Sequence, residues 1–279
     1  MIRPFFTKDR ISLIQFGIIV GCLTLLYVPV MRELVYDWIH LPDFSHGFLI
    51  PVISLYLVYE RRNRLSNLSP SGQWAGLGVI IFGIILFFLG KLASEYFTIR
   101  CSLLVIIGGL ILFLLGKDFF KNLIFPLIFL IFMIPIPSLL MDRITFPMQI
   151  FASKVAAKFL DWVEIPVLRE GNIIQLANTF LEVAEACSGI RSLISLLALS
   201  VIFAYLSQKS TLKRILLTLS AFPIAITANA IRVTTTGILA NYYGDEIAQG
   251  FFHGFSGWIL FAVAFICLFL VGTLLSKIK

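Results

Sequence analysis

Apolar runs of roughly 17 to 25 residues recur from one end of this 279-residue chain to the other, separated by short polar segments. About 20 apolar residues are needed for a helix to cross the hydrocarbon core. Within lipid every backbone N–H and C=O must be satisfied internally, so only helices or closed barrels can span it. Runs this long, without strict alternation, predict helices. Composition agrees: 59% of residues are hydrophobic, 13% are charged and mean hydropathy is +0.98. Soluble domains carry about 25% charged residues.

The predicted architecture is an all-α polytopic membrane protein with about eight transmembrane helices. They fall near 11–30, 44–60, 74–91, 100–116, 122–140, 188–207, 215–233 and 255–275. The second is short and contains Pro51. The fifth carries Pro126, Pro135 and Pro137 and should kink or stop at the Pro-Ile-Pro step, because proline cannot continue the helical ladder. A single integral-membrane domain over 1–279 is expected, with no separate soluble domain. The basic N-terminus precedes a long apolar run without a small-residue cleavage site, so the first span should be retained.

Charge sets an expected orientation. Segments 1–10, 60–73, 117–121, 208–214 and 276–279 hold 13 of the 22 Lys/Arg. Lysine and arginine near span ends stay in the cytoplasm. Both termini should then be cytoplasmic, and loops 31–43, 92–99, 141–187 and 234–254 should lie outside. The formal charge of +7 fits anchoring to anionic lipid rather than to nucleic acid, since no basic soluble domain is present.

Four cysteines divide into two kinds. Cys22, Cys101 and Cys267 sit in apolar runs, where cysteine behaves as a small hydrophobe. Cys187 instead lies in Leu181-Glu-Val-Ala-Glu-Ala-Cys-Ser-Gly-Ile-Arg191, where an acidic segment turns into a span. A thiol near a helix N-terminus is acidified, and the thiolate is the nucleophile. Arg191 lies four residues on and can share its face. Glu182 and Glu185 would oppose the thiolate if they faced it, or pair with Arg191, or meet a substrate. No metal-ligand spacing is present and no cofactor is expected.

Two basic residues join Cys187 at the same expected membrane face. Asn229, Arg232 and Thr236 make one polar stripe on the seventh span. An arginine there is expensive unless it faces a polar interior, where it serves either structure or as a fixed cation for a thiolate, oxyanion or carboxylate. His253 stands before the eighth span, among Gly254, Ser256 and Gly257; histidine is the side chain best suited to act as general acid or base near neutral pH. His46 has the same expected depth and is its rival. Between the fifth and sixth spans, 142–163 reads as an interfacial amphipathic helix. Glu170-Gly-Asn172 reads as a turn between strands, with a third strand after Thr179. The insertion at about 141–187 is therefore a small extracytoplasmic helix and β-hairpin element.

These stretches resemble the bacterial exosortases, relatives of the archaeosortases. The resemblance rests on Ser45-His-Gly-Phe-Leu-Ile-Pro51, Pro135-Ile-Pro137, Val167-Leu-Arg-Glu-Gly-Asn172, Val183-Ala-Glu-Ala-Cys-Ser-Gly-Ile-Arg191, Pro223-Ile-Ala-Ile226 with Asn229-Ala-Ile-Arg232, and Gly250-Phe-Phe-His253. The Ala-Cys-Ser-Gly-Ile-Arg stretch is the most specific. It implies an inner-membrane cysteine protease or transpeptidase whose active site faces the periplasm. Cys187 would be its nucleophile, with Arg232 and His253 as catalytic partners. Implied substrates are membrane-anchored proteins ending in a Pro-Glu-Pro motif, a transmembrane helix and a basic tail. The acceptor is water, an amine or a glycan. The rival readings are a non-catalytic transporter or flippase, and a scaffold of an envelope export complex. No Gly-x-Ser-x-Gly or His-Glu-x-x-His motif supports another protease class.

Overall fold

Lipid-facing helices show their character in what they leave uncovered. Phe82, Phe88, Leu92, Trp258, Ile266 and Leu270 are all exposed, as no soluble core would leave them. The computed structural model describes residues 13–177, 180–183, 189–244 and 251–277. The chain forms two compact units, Met1–Pro137 and Ser138–Lys279.

The first unit begins with α1 (Leu13–His40), a 3-10 helix (Pro42–Phe48), α2 (Leu49–Glu60) and α3 (Arg62–Ser66). It continues with α4 (Ala75–Leu92), α5 (Tyr96–Leu110) and α6 (Lys117–Phe129), which ends in a 3-10 turn (Leu130–Met133). α4 and α5 form the closest hairpin. Gly76, Gly83 and Gly90 recur every seventh residue along one face of α4, and a Cβ at Gly90 would lie 2.7 Å from Ile99 Cγ1. Small residues let backbones approach where lipid offers no hydrophobic drive for association. The connection is short because Ser94 takes a left-handed φ of 54° and lets Glu95 N–H reach Gly90 O at 2.9 Å. Glu95 then caps α5, its carboxylate accepting from Phe97 N and Thr98 N at 2.8 and 2.7 Å.

Pro126 sits inside α6, and its missing N–H leaves the Asn122 carbonyl without its helical donor. Arg61 Nη1 donates to that carbonyl, and Ser54 Oγ donates to Pro126 O at 2.9 Å. The Arg61 side chain at the C-terminus of α2 thus supplies the donor that the proline removes.

The second unit opens with α7 (Ser138–Trp162), followed by a three-stranded antiparallel sheet in the order β1-β2-β3 (Val167–Glu170, Ile173–Leu176, Phe180–Glu182). Glu170 pairs with Ile173, leaving the two-residue loop Gly171-Asn172. Gly171 has the positive φ, +63°, that a II′ hairpin turn needs at its first position. Ser153 Oγ of α7 donates to Gly171 O at 2.9 Å and pins the turn to the helix. Among the described residues three helices follow: α8 (Ile190–Ser207), α9 (Thr211–Tyr243) and α10 (Phe251–Lys277).

Among the described residues six helices are long and apolar enough to cross a membrane, or seven if Lys117–Met133 and Ser138–Trp162 count together as one span. The expected run 44–60 is divided instead into the 3-10 helix and the 12-residue α2. Twelve residues of helix extend only about 18 Å. The expected break at Pro-Ile-Pro is present: helix stops at Met133 and resumes at Ser138.

The seventh run is longer than its apolar pattern suggests. α9 has 33 residues, about 50 Å of helix, against a hydrocarbon core of about 30 Å. Its final third does not dangle. Val233 and Ala240 join Ala152, Ala156 and Leu160 of α7 and Ile174, Leu176 and Leu181 of the sheet in one buried cluster. Gly237 admits Leu160, whose Cδ1 would lie 2.9 Å from a Cβ there. One helix thus carries both a membrane-length segment and the platform for the α7–sheet cap.

Candidate active site

α8 and α9 are antiparallel neighbours joined by the short link between Ser207 and Thr211. Gln208 is 2% exposed; its Nε2 donates to Gly272 O at 2.8 Å, and Arg214 Nε donates to Gln208 O at 2.8 Å. That end of α8, α9 and α10 is therefore closed by hydrogen bonds between the helices and the link.

The other end is where polar groups gather. Gly189, the residue before α8, has a left-handed φ of +79°. A Cβ built on it would lie 2.7 Å from Asn229 Cγ and 2.8 Å from Asn229 Cβ. Asn229 is buried at 6% exposure. Arg232 follows one turn later and is half-buried. Gly257 of α10 lies against its guanidinium: a Cβ there would be 3.8 Å from Arg232 Cζ, an ordinary van der Waals contact. Thr236 Oγ1 donates to Arg232 O at 2.9 Å, one turn back along the helix.

A crevice runs between these three helices. Ser192, Asn229, Arg232 and Gly257 line one part; Leu196, Ala225, Ala228, Leu260, Phe261 and Ala264 line the rest. In each helix the polar members lie toward the Gly189 end and the apolar members toward the Gln208 end. A cation at the polar mouth of an apolar slot is strengthened by the low dielectric around it.

Each residue singled out from the sequence has a definite position or falls outside the described residues. Asn229 and Arg232 meet in the crevice. Arg191 is exposed in the first turn of α8, and Glu182 is exposed on β3. Cys187 and Glu185 lie outside the described residues. His253 belongs to α10, one turn before Gly257, with only its backbone described. His46 belongs to the first unit, on the 3-10 helix, with its ring 6.2 Å from that of Phe44. Arg232, expected at the outer end of the 215–233 span, lies eleven residues before the end of α9, which continues as helix to Tyr243. The helix continues beyond the expected span end at 233, where Val233 and Ala240 pack on α7 and the sheet. Ser192 is a lining residue that the sequence pattern does not single out; its only signal is its place in the register of α8, two residues after Ile190.

These features define a polytopic membrane protein with a small α/β cap and a cationic crevice at one end of a three-helix group. The chain matches the family model of the transmembrane exosortases over residues 38–270 and belongs to that family. At family level it is a membrane-embedded, cysteine-type transpeptidase or protease that sorts membrane-anchored proteins. No curated protein and no solved structure matches it significantly.

Proposed function

We propose that this enzyme cleaves a C-terminal Pro-Glu-Pro-type sorting signal at the outer face of the inner membrane, through a thioester on Cys187. The Cys187 thiolate attacks the scissile carbonyl, and the tetrahedral oxyanion forms next to Arg232. Collapse breaks the peptide C–N bond, and His253 gives its proton to the departing amine. An acceptor, whether water, an amine or a glycan, then attacks the thioester carbonyl, loses a proton to His253 and frees the thiolate.

The observation that carries the reading is the contact of Gly189 with Asn229, one turn from Arg232. Cys187 is two residues before Gly189, so covalent geometry keeps their Cα atoms within about 7.6 Å. His253 is four residues before Gly257, on the same side of a helix of 3.6 residues per turn. The proposed thiol and imidazole are thus close in the chain to Gly189 and Gly257, which pack beside Asn229 and Arg232. A guanidinium is suited to the oxyanion because it stays charged and offers several donors in one plane.

The orientation follows from charge. Lys209, Lys213 and Arg214 mark the end of the helices opposite the crevice, and lysine and arginine favour the cytoplasmic side. The active site then faces the periplasm and both termini are cytoplasmic. A substrate with its own span and basic tail obeys the same rule, so its signal reaches the crevice depth.

The test is processing of a tagged Pro-Glu-Pro-tailed substrate in cells, with each variant checked for expression and membrane insertion. Cys187→Ala should abolish cleavage, and Cys187→Ser should nearly do so. Arg232→Ala should lower the rate roughly a hundred- to a thousandfold, as for a lost oxyanion donor. A mass-identified substrate adduct that disappears in Cys187→Ala would establish the thioester. Normal processing by well-expressed Cys187→Ala would refute thiol catalysis. His253→Ala should be inactive and His46→Ala active; the reverse result would exchange the two histidines.

A further inference from the structure

We propose that Asn229 is a positioning residue for Cys187, acting by packing against the Gly189 backbone. The proposal rests on the reading that Cys187 is the nucleophile, and it names a packing contact two residues from it in the chain.

Gly189 is the last residue before α8 and turns the chain through a left-handed conformation, φ +79°. A side chain is disfavoured there by conformation alone. Space forbids it as well: Cγ, Cβ and Oδ1 of Asn229 stand 2.7, 2.8 and 3.0 Å from where a Cβ would be. Real Cβ atoms do not come so close, so the contact fixes the height and rotation of this turn against α9. Asn229 is 6% exposed, and Ala225 and Val233, one turn to either side of it, are buried at 1% and 2%. The side chain is thus a firm stop rather than a surface group that swings away. Arg232 stands on the same helix one turn on. A single helix therefore carries both the stop for the turn at Gly189 and the cation proposed to meet the oxyanion. Reaction rates respond steeply to such alignment: a misplacement of about 1 Å costs on the order of a hundredfold.

The experiment reads the thiol without substrate. In full-length protein with Cys22, Cys101 and Cys267 replaced by alanine, the rate of Cys187 alkylation by N-ethylmaleimide is followed by mass from pH 6 to pH 10. Gly189→Ala should shift the midpoint of this profile and slow cleavage by roughly tenfold or more. Adding Asn229→Gly clears the space but leaves the strain of a left-handed alanine, so it should restore part of both losses, giving a non-additive pair. Asn229→Ala guards against misfolding of the glycine variant, since alanine is the best helix former. It keeps Cβ and removes the amide, and should shift the alkylation profile while lowering kcat with KM little changed. A wild-type alkylation profile in both Gly189→Ala and Asn229→Ala overturns the proposal. So does purely additive behaviour of Gly189→Ala and Asn229→Gly in proteins that melt normally. Normal cleavage by Cys187→Ala would remove the catalytic reading but leave the alkylation coupling to be judged by itself.

Discussion

Asp37 Oδ2 and Arg100 Nη2 form an ion pair at 2.6 Å, with side chains 24% and 5% exposed. The pair joins the last turn of α1 to the first turns of α5. Arg100 also lies 5.5 Å over the Tyr96 ring, while Tyr27 and Ser102 share a buried hydroxyl hydrogen bond at 2.6 Å. Breaking a buried pair from one side strands a charge, which costs roughly 3 kcal/mol or more. Asp37→Ala should therefore lower the melting temperature of the detergent-solubilised protein sharply. Asp37→Leu with Arg100→Met should recover much of the loss, and thermal unfolding followed by tryptophan fluorescence measures both. Equal damage in the single and the double variant would show that the pair is not the source.

Glu95 gives a pH signature. Burial alone would raise its pKa, but hydrogen bonds from Thr98 and Phe97 and the charge of Arg100 outweigh it, so the carboxyl sits below its usual range. A depressed carboxyl stabilises the fold above its unfolded pKa, near 4.5. That contribution is lost as pH falls through the folded value. Glu95→Ala should cost about 0.5–2 kcal/mol at neutral pH, the usual worth of such a cap. The variant should also show a flatter stability profile below about pH 4.5. Parallel melting curves for both proteins down to pH 3 would contradict this.

The α4–α5 hairpin depends on its glycines. Gly83→Leu would drive a side chain into Ile106 and Ser102 O. Overpacking costs typically 1–3 kcal/mol, and here the alternative is to push two helices apart. The expected outcome is reduced accumulation and faster proteolysis between Lys91 and Tyr96 in membranes. Gly78, where an added Cβ would meet nothing within 4 Å, is the control; Gly78→Leu should accumulate normally.

Topology is tested by introduced cysteines. Asn172 lies in the hairpin loop of the cap, and Lys209 in the link closing the opposite end of α8 and α9. Asn172→Cys should react with an impermeant maleimide in cells with a permeabilised outer barrier, and Lys209→Cys only after lysis. The inverse pattern would reverse the proposed orientation and put the crevice in the cytoplasm.

The positions of several elements are legible in the sequence. α8 occupies Ile190–Ser207 where a span is expected at 188–207, and the cap has the expected helix and strands. The Pro-Ile-Pro break is legible because a missing N–H acts locally. Two things are not legible. α2 looks like part of a span because 44–60 is apolar, whereas Pro42–Phe48 forms a tighter 3-10 helix ending in Phe44 and Gly47 packed inward. Arg232 looks terminal because nothing in Val233–Thr236 announces that α7 and the sheet will cover the next three turns.

The sequence by itself determined that this chain lives in lipid, which segments become helices, where prolines interrupt them and where a hairpin turns. Each of these follows from groups within one segment, since a backbone in hydrocarbon must satisfy its own hydrogen bonds. Only the tertiary structure decided which helix faces meet. It set Asp37 against Arg100, Gly189 against Asn229 and Gly257 against Arg232, and it carried α9 beyond membrane length onto the cap. A helix that is apolar all round carries no stripe to fix its rotation. Its facing is chosen by small residues and a few buried polar pairs contributed by other segments.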